Sequence, residues 1–218
     1  MTPGFAKAVD PVFLVVLDLL ERIEQNKPIS INEERNRIQK RIDNSEMMLG
    51  NTPDWELAKY ALVSWIDSML IGSPWSGSNW WENNPLERTY FFGRNAFTQF
   101  FTKAKEAAML INKDALEVYY LCVVLGFRGF YNEPSAAQYA GQMGLPPRLE
   151  EWANQTAASI QIGLGRPQIE NSPIVGDGAP PLEGRARLIM MSLFGTGLIA
   201  AAIAYAVFCF PFINQTAK

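Results

Sequence analysis

The sequence predicts an all-α protein in which a helical bundle is joined through a linker to one C-terminal membrane-spanning helix. Three observations carry that expectation. Apolar residues recur at three- and four-residue intervals from Phe5 to Ile162, without the strict alternation that marks strands. Between residues 163 and 184 the periodicity stops and Gly and Pro gather. From Leu188 to Ile213 none of the 26 residues is charged. With 218 residues in all, the part before that stretch is long enough to bury a sizeable core.

The first helix is expected over about Phe5 to Gln25. Val9, Val12, Phe13, Val16, Leu17, Leu19, Leu20 and Ile23 form a stripe too wide for a surface helix, and Asn26-Lys27-Pro28 ends it. Ser30-Ile31-Asn32-Glu33 fits a capping box, in which hydroxyl and carboxylate take up orphan amides at a helix start. The helix that follows, to about Met48, has only a narrow seam of Ile31, Ile38, Ile42 and Leu49. Its mixed charges read as a solvated face. Thr52-Pro53 starts a third helix, with Thr as N-cap and Pro in the first turn. Ala58, Leu62, Trp65, Ile66 and Met69 are its apolar face, and Gly72 with Pro74 ends it.

Residues 72–81 read as a Ser/Gly/Asn/Trp loop, after which Asn84-Pro85-Leu86-Glu87 caps a fourth helix. A fifth is expected from about Asn95 to Leu110. The sixth, Lys113 to about Phe127, is nearly all apolar from Leu116 and reads as the centre of the core. Shorter helices follow at about Pro134 to Met143 and Pro146 to Ile162. The division is then a cytoplasmic bundle over 1–162, a linker over 163–187, a span over 188–213 and a short tail over 214–218.

A hydrocarbon core of about 30 Å needs about 20 helical residues, so the uncharged stretch is long enough to cross a bilayer. Arg185 and Arg187 precede it and Lys218 alone follows, which places the N-terminal part in the cytoplasm and the C-terminus in the periplasm. Asp18, Glu21, Arg22 and Glu24 interrupt the N-terminal apolar run, unlike an export signal. The topology is that of a tail-anchored, single-pass protein. Within the span Ser192, Thr196, Ala200 and Ala204 recur every four residues. Such a stripe suits close helix packing, as in a homodimer, although small residues are common in membrane helices anyway.

Nineteen basic and 22 acidic residues give a net charge of -3 and form no basic stripe, which argues against nucleic-acid binding. The chain has no histidine, so the commonest general base and metal ligand is missing. Its two cysteines, Cys122 and Cys209, fall on either side of the expected membrane boundary and suggest no disulfide or metal site. No cofactor and no enzymatic activity are expected. Asp67 on an apolar helix is a candidate functional carboxylate, against the commoner reading of a structural acid bonded to a nearby loop. Trp75, Trp80 and Trp81 are either an exposed partner-binding surface or rings folded back into the core.

Leu116-Glu117-Val118-Tyr119-Tyr120-Leu121-Cys122-Val123-Val124-Leu125-Gly126-Phe127-Arg128-Gly129-Phe130-Tyr131 resembles the LExYYLCLxLGFxGxY pattern of the DotU/TssL family. Tyr60 to Asp67, Pro74-Trp75, Asn84-Pro85-Leu86 and Phe100-Phe101 occur in the family's order. Ser68 stands where the family usually has Glu, and Phe92 to Asn95 where it often has a His and a Gly-Gly pair. The resemblance implies a pair of small, three-helix-type cytoplasmic bundles and a bacterial inner-membrane component of a type VI secretion system. It also implies an IcmF/TssM-like membrane partner and docking of the cytoplasmic baseplate. The equivalent DotU component of a type IVB system is the alternative, as is a tail-anchored adaptor or receptor outside any secretion system. A membrane-bound hydrolase relying on Asp67 is a third reading.

Overall fold

The computed structural model describes residues 1–163 and Thr196. The rest of the expected linker, the span, its stripe residues Ser192, Ala200 and Ala204, and the tail lie outside the described residues. So does Cys209. Among the described residues no helix is long and apolar enough to cross a membrane.

All regular structure among the described residues is helical. The helices are α1 (Pro3–Glu24), α2 (Ile31–Leu49), α3 (Pro53–Gly72), α4 (Ser78–Asn83), α5 (Leu86–Phe91), α6 (Ala96–Met109), α7 (Asp114–Val124), α8 (Ala136–Gln142) and α9 (Leu149–Gly163). A single 3-10 turn covers Gly129–Asn132. Gly163, expected to open the linker, is the last residue of α9.

α1 and α2 form an antiparallel hairpin. Ser45 Oγ donates to Ala8 O at 2.7 Å near one end, and Arg22 reaches Glu34 at 2.8 Å near the other. Phe5, Val9, Val12, Val16, Leu19 and Ile23 are buried from end to end of α1, as its wide stripe requires. The narrow seam of α2 buries Ile38 and Ile42 completely. Its charged side is largely solvated as expected, with Glu33, Arg37, Lys40, Arg41 and Asp43 exposed, but Glu34 departs from this, buried beside Arg22. The capping box at Ser30 does not form, because the Ser30 side chain makes no cap bond. Thr52 caps α3 as expected, its Oγ1 accepting from Trp55 N at 3.3 Å.

The centre of the core is α3 rather than α7. It packs against α7, α6, α4, α5, α1 and α2, and from Tyr60 to Asp67 every residue is buried. A helix surrounded on all sides shows no clear stripe, which is why its sequence understates its burial. The hairpin lies on one side of α3; α6 and α7 lie on another, with α9 packed on α7. One continuous apolar cluster runs through both groups.

The end of α7 is fixed by glycine. Gly126 takes φ +110°, and Phe127 N donates back to Cys122 O at 2.9 Å, closing the last turn. Phe127 then stacks on Phe100 with ring centroids 3.9 Å apart. At Gly129 (φ +50°) a Cβ would stand 3.0 Å from Phe97 O, so only glycine fits.

Candidate partner-binding site

Asp67 lies in α3 near its C-terminal end at Gly72 and is 5% exposed. Its Oδ1 accepts from Trp81 Nε1 and from Leu86 N, each at 2.8 Å, and its Oδ2 accepts from Glu87 N at 2.8 Å. Leu86 and Glu87 are the first residues of α5. The first amides of a helix lack an internal partner, and here a carboxylate from α3 supplies one from 19 and 20 residues away. The Asn84-Pro85 pair expected to cap this helix does not do so. Pro85 sits at the N-cap without a side-chain bond, and Asn84 Nδ2 donates to Trp80 O.

Burial pushes the Asp67 carboxyl up to about 6, against the opposing pull of the Glu87 and Leu86 amides, the Trp81 ring N–H and the charge of Arg35. Three of its roughly four lone-pair sites are taken by N–H donors, which leaves little capacity to activate a water. Ser64 is committed as well, its hydroxyl donating to Tyr60 O at 2.7 Å. Among the described residues no cluster of carboxylates and cysteines could hold a metal ion. Cys122 is fully buried and burial raises its thiol well above the usual range, so it stays protonated.

The expected Trp loop contains α4, and the three rings fare differently. Trp81 is 0% exposed and belongs to the core. Trp75 and Trp80 are half-buried, the first donating from Nε1 to Leu70 O at 2.8 Å. Both pack on Trp81, with centroids 6.4 and 6.2 Å from it.

Arg35, on the charged side of α2, holds this layer from outside. Its guanidinium lies 5.5 Å from the Trp80 ring centroid and 5.4 Å from that of Trp81. It donates to Asn84 O at 2.6 Å and to Thr89 Oγ1 at 2.9 Å. Burial lowers its pKa, yet an arginine stays charged at any physiological pH. Sequence reasoning missed Arg35 because nothing separates it from its charged neighbours along α2. Glu87, expected only as part of a helix cap, is instead buried, and its Oε1 accepts from Tyr60 OH at 3.0 Å and Asn95 N at 2.9 Å.

Over this knot opens a cleft of about 420 Å³, lined by Asp67 and Ser64 themselves with Ser68, Glu87, Arg94 and Phe97 among others. Trp81 acts from inside and Asp67 from the floor of the cleft, together fixing α4 and α5 on α3, while Trp75 and Trp80 are half-exposed.

The fold and this knot define an all-α helical domain in which buried polar groups tie α4 and α5 to α3. The chain belongs to the DotU family: the family model described as type VI secretion system protein DotU matches residues 5–211. It is thus a component of that secretion system. No curated protein sequence matches it. The solved cytoplasmic domain of TssL from Acinetobacter baumannii has the same fold, at a TM-score of 0.59 and 20% identity, over 74% of this chain and 99% of that one. Within the block from Leu116 to Tyr131 that resembles the family, Gly126, Phe127 and Gly129 close α7 onto α6.

Proposed function

We propose that the chain is the tail-anchored, single-pass inner-membrane scaffold of a type VI secretion system. Its bundle faces the cytoplasm and its C-terminus the periplasm. The bundle binds an IcmF/TssM-like membrane protein and docks the cytoplasmic baseplate on the membrane complex. One observation carries this reading: the family match runs from Phe5 through the whole bundle to Pro211, so it includes nearly all of the uncharged stretch. The family description names a type VI system and lends no support to the type IVB alternative. Trp75, Trp80 and the cleft over Asp67 are the partner-binding surfaces, with Asp67, Trp81 and Arg35 as positioning residues. Anchoring raises the local concentration of partners, so each contact can be weak.

Affinity purification of the full chain from bacterial membranes in mild detergent should recover the IcmF/TssM-like protein. Protease added outside spheroplasts should leave the bundle intact. Failure to recover that partner, or digestion of the bundle from outside, would overturn the proposal.

A further inference from the structure

Three of the most exposed large aliphatic side chains among the described residues are Ile111 (96%), Met109 (83%) and Ile162 (81%). Ile162 is far in sequence from the other two, yet the packing gathers all three at one end of the bundle. Phe101 of α6 meets Trp152 of α9 with ring centroids 5.1 Å apart. Seven residues further along each helix, Ala108 and Ser159 line one narrow cleft together with Leu116 in the first turn of α7. α6 and α9 therefore run parallel and end at the same level. Met109 is the last residue of α6, and Ile162 is the last but one of α9. Ile111 lies in the turn into α7. That turn is pinned, since Lys113 Nζ donates to Ala108 O at 2.5 Å and to Leu110 O at 2.7 Å. The two side chains are thus held outward by a braced turn.

From this end the chain continues at residue 164, and the uncharged stretch begins at Leu188 after 24 residues (164–187). Even a flexible linker of that length has a mean span of only about 25–30 Å. We infer that Met109, Ile111 and Ile162 form a lipid-contacting foot that seats this end of the bundle on the cytoplasmic face of the bilayer. Exposed aliphatic side chains on a polar body are the chemistry of shallow insertion at the acyl boundary. The foot rests on the anchoring proposed above. It adds an orientation, with the cleft at Ala96 and Phe97, at the opposite end of α6, directed away from the lipid.

The test uses the full chain with Cys209→Ser, reconstituted into vesicles of equal parts phosphatidylethanolamine and phosphatidylglycerol. An environment-sensitive fluorophore is placed at Ile111→Cys, at Ile162→Cys, or at the control Gln99→Cys. Cys122 is fully buried and escapes labelling. Gln99 is exposed on α6, about 15 Å back from Met109 at the helical rise per residue. Side chains inserted about 5–10 Å bring positions 111 and 162 near a shallow nitroxide lipid, so roughly half of their emission should be lost, and none from position 99. Adding Met109→Asp should weaken quenching at 162 while the chain still floats with the vesicles. If the chain floats and position 111 is quenched no more than position 99, the foot is wrong and the anchor stands. A chain that does not float overturns both. A label shielded in native membranes but unquenched in pure lipid shows a protein covering this end, and overturns the assignment to lipid.

Discussion

Replacing Asp67 by Asn keeps the shape of the central knot but removes its charge and one acceptor. An amide oxygen in place of Oδ1 retains the bonds from Trp81 and Leu86, while the amide nitrogen faces the Glu87 N–H. A buried donor left unmatched costs about 1–3 kcal/mol. Against this stands the charge itself. The carboxyl ordinarily titrates at 3.8 and reaches about 6 in the fold. That gap of about two units is worth about 3 kcal/mol at this buried group. Its sign follows from proton counting: between about pH 4 and about pH 6 the folded state holds a proton that the unfolded chain has released. Stability from this group is therefore present at the acid end and lost as pH rises through about 6. The amide of the Asp67→Asn variant does not titrate and has no such loss. Denaturant unfolding of the compact unit Met1–Pro167 should show Asp67→Asn less stable than the parent by about 1–3 kcal/mol near pH 4, with the gap closed or reversed at about pH 7.5. A gap that widens as pH rises would mean that the three N–H donors outweigh burial, and would refute this reasoning.

Trp81→Ala should lower stability by about 3–5 kcal/mol by emptying a core site and stripping a donor from Asp67, whereas Trp80→Ala should cost about 1 kcal/mol or less and instead reduce co-purification of the IcmF/TssM-like partner. Arg35→Lys should destabilise by about 1–2 kcal/mol in the same unfolding assay, because an ammonium cannot bridge Asn84 and Thr89 while lying over two indole rings. Phe92 sits in left-handed backbone at φ 56° with 92% of its surface exposed. Phe92→Gly should therefore raise the unfolding midpoint, by about 0.5–1 kcal/mol in stability, since it relieves strain and gives up almost no buried area.

Elements whose cause is local were legible in the sequence. α1, α2, α3, α6, α7 and α9 all follow from apolar spacing, and the Thr52 cap from its hydroxyl and the proline after it. Where local chemistry allowed two outcomes, reading along the chain went astray. Ser30 had the residues of a capping box and leaves them unused, and Asn84-Pro85 had the look of a cap that Asp67 in fact provides. α4 was hidden because six residues of Ser, Asn, Trp and Glu carry no period of their own.

Composition and periodicity by themselves determined the helical class, the absence of histidine chemistry and the uncharged stretch, because each depends on residue type and near spacing alone. Only the tertiary structure decided which carboxylate caps which helix, that Arg35 braces two tryptophans, and that α3 is the centre. The same holds for Met109, Ile111 and Ile162, which share one end only because α6 and α9 run parallel. A side chain's partner is set by which surfaces meet when the apolar faces are buried together, and no spacing along the chain records that meeting.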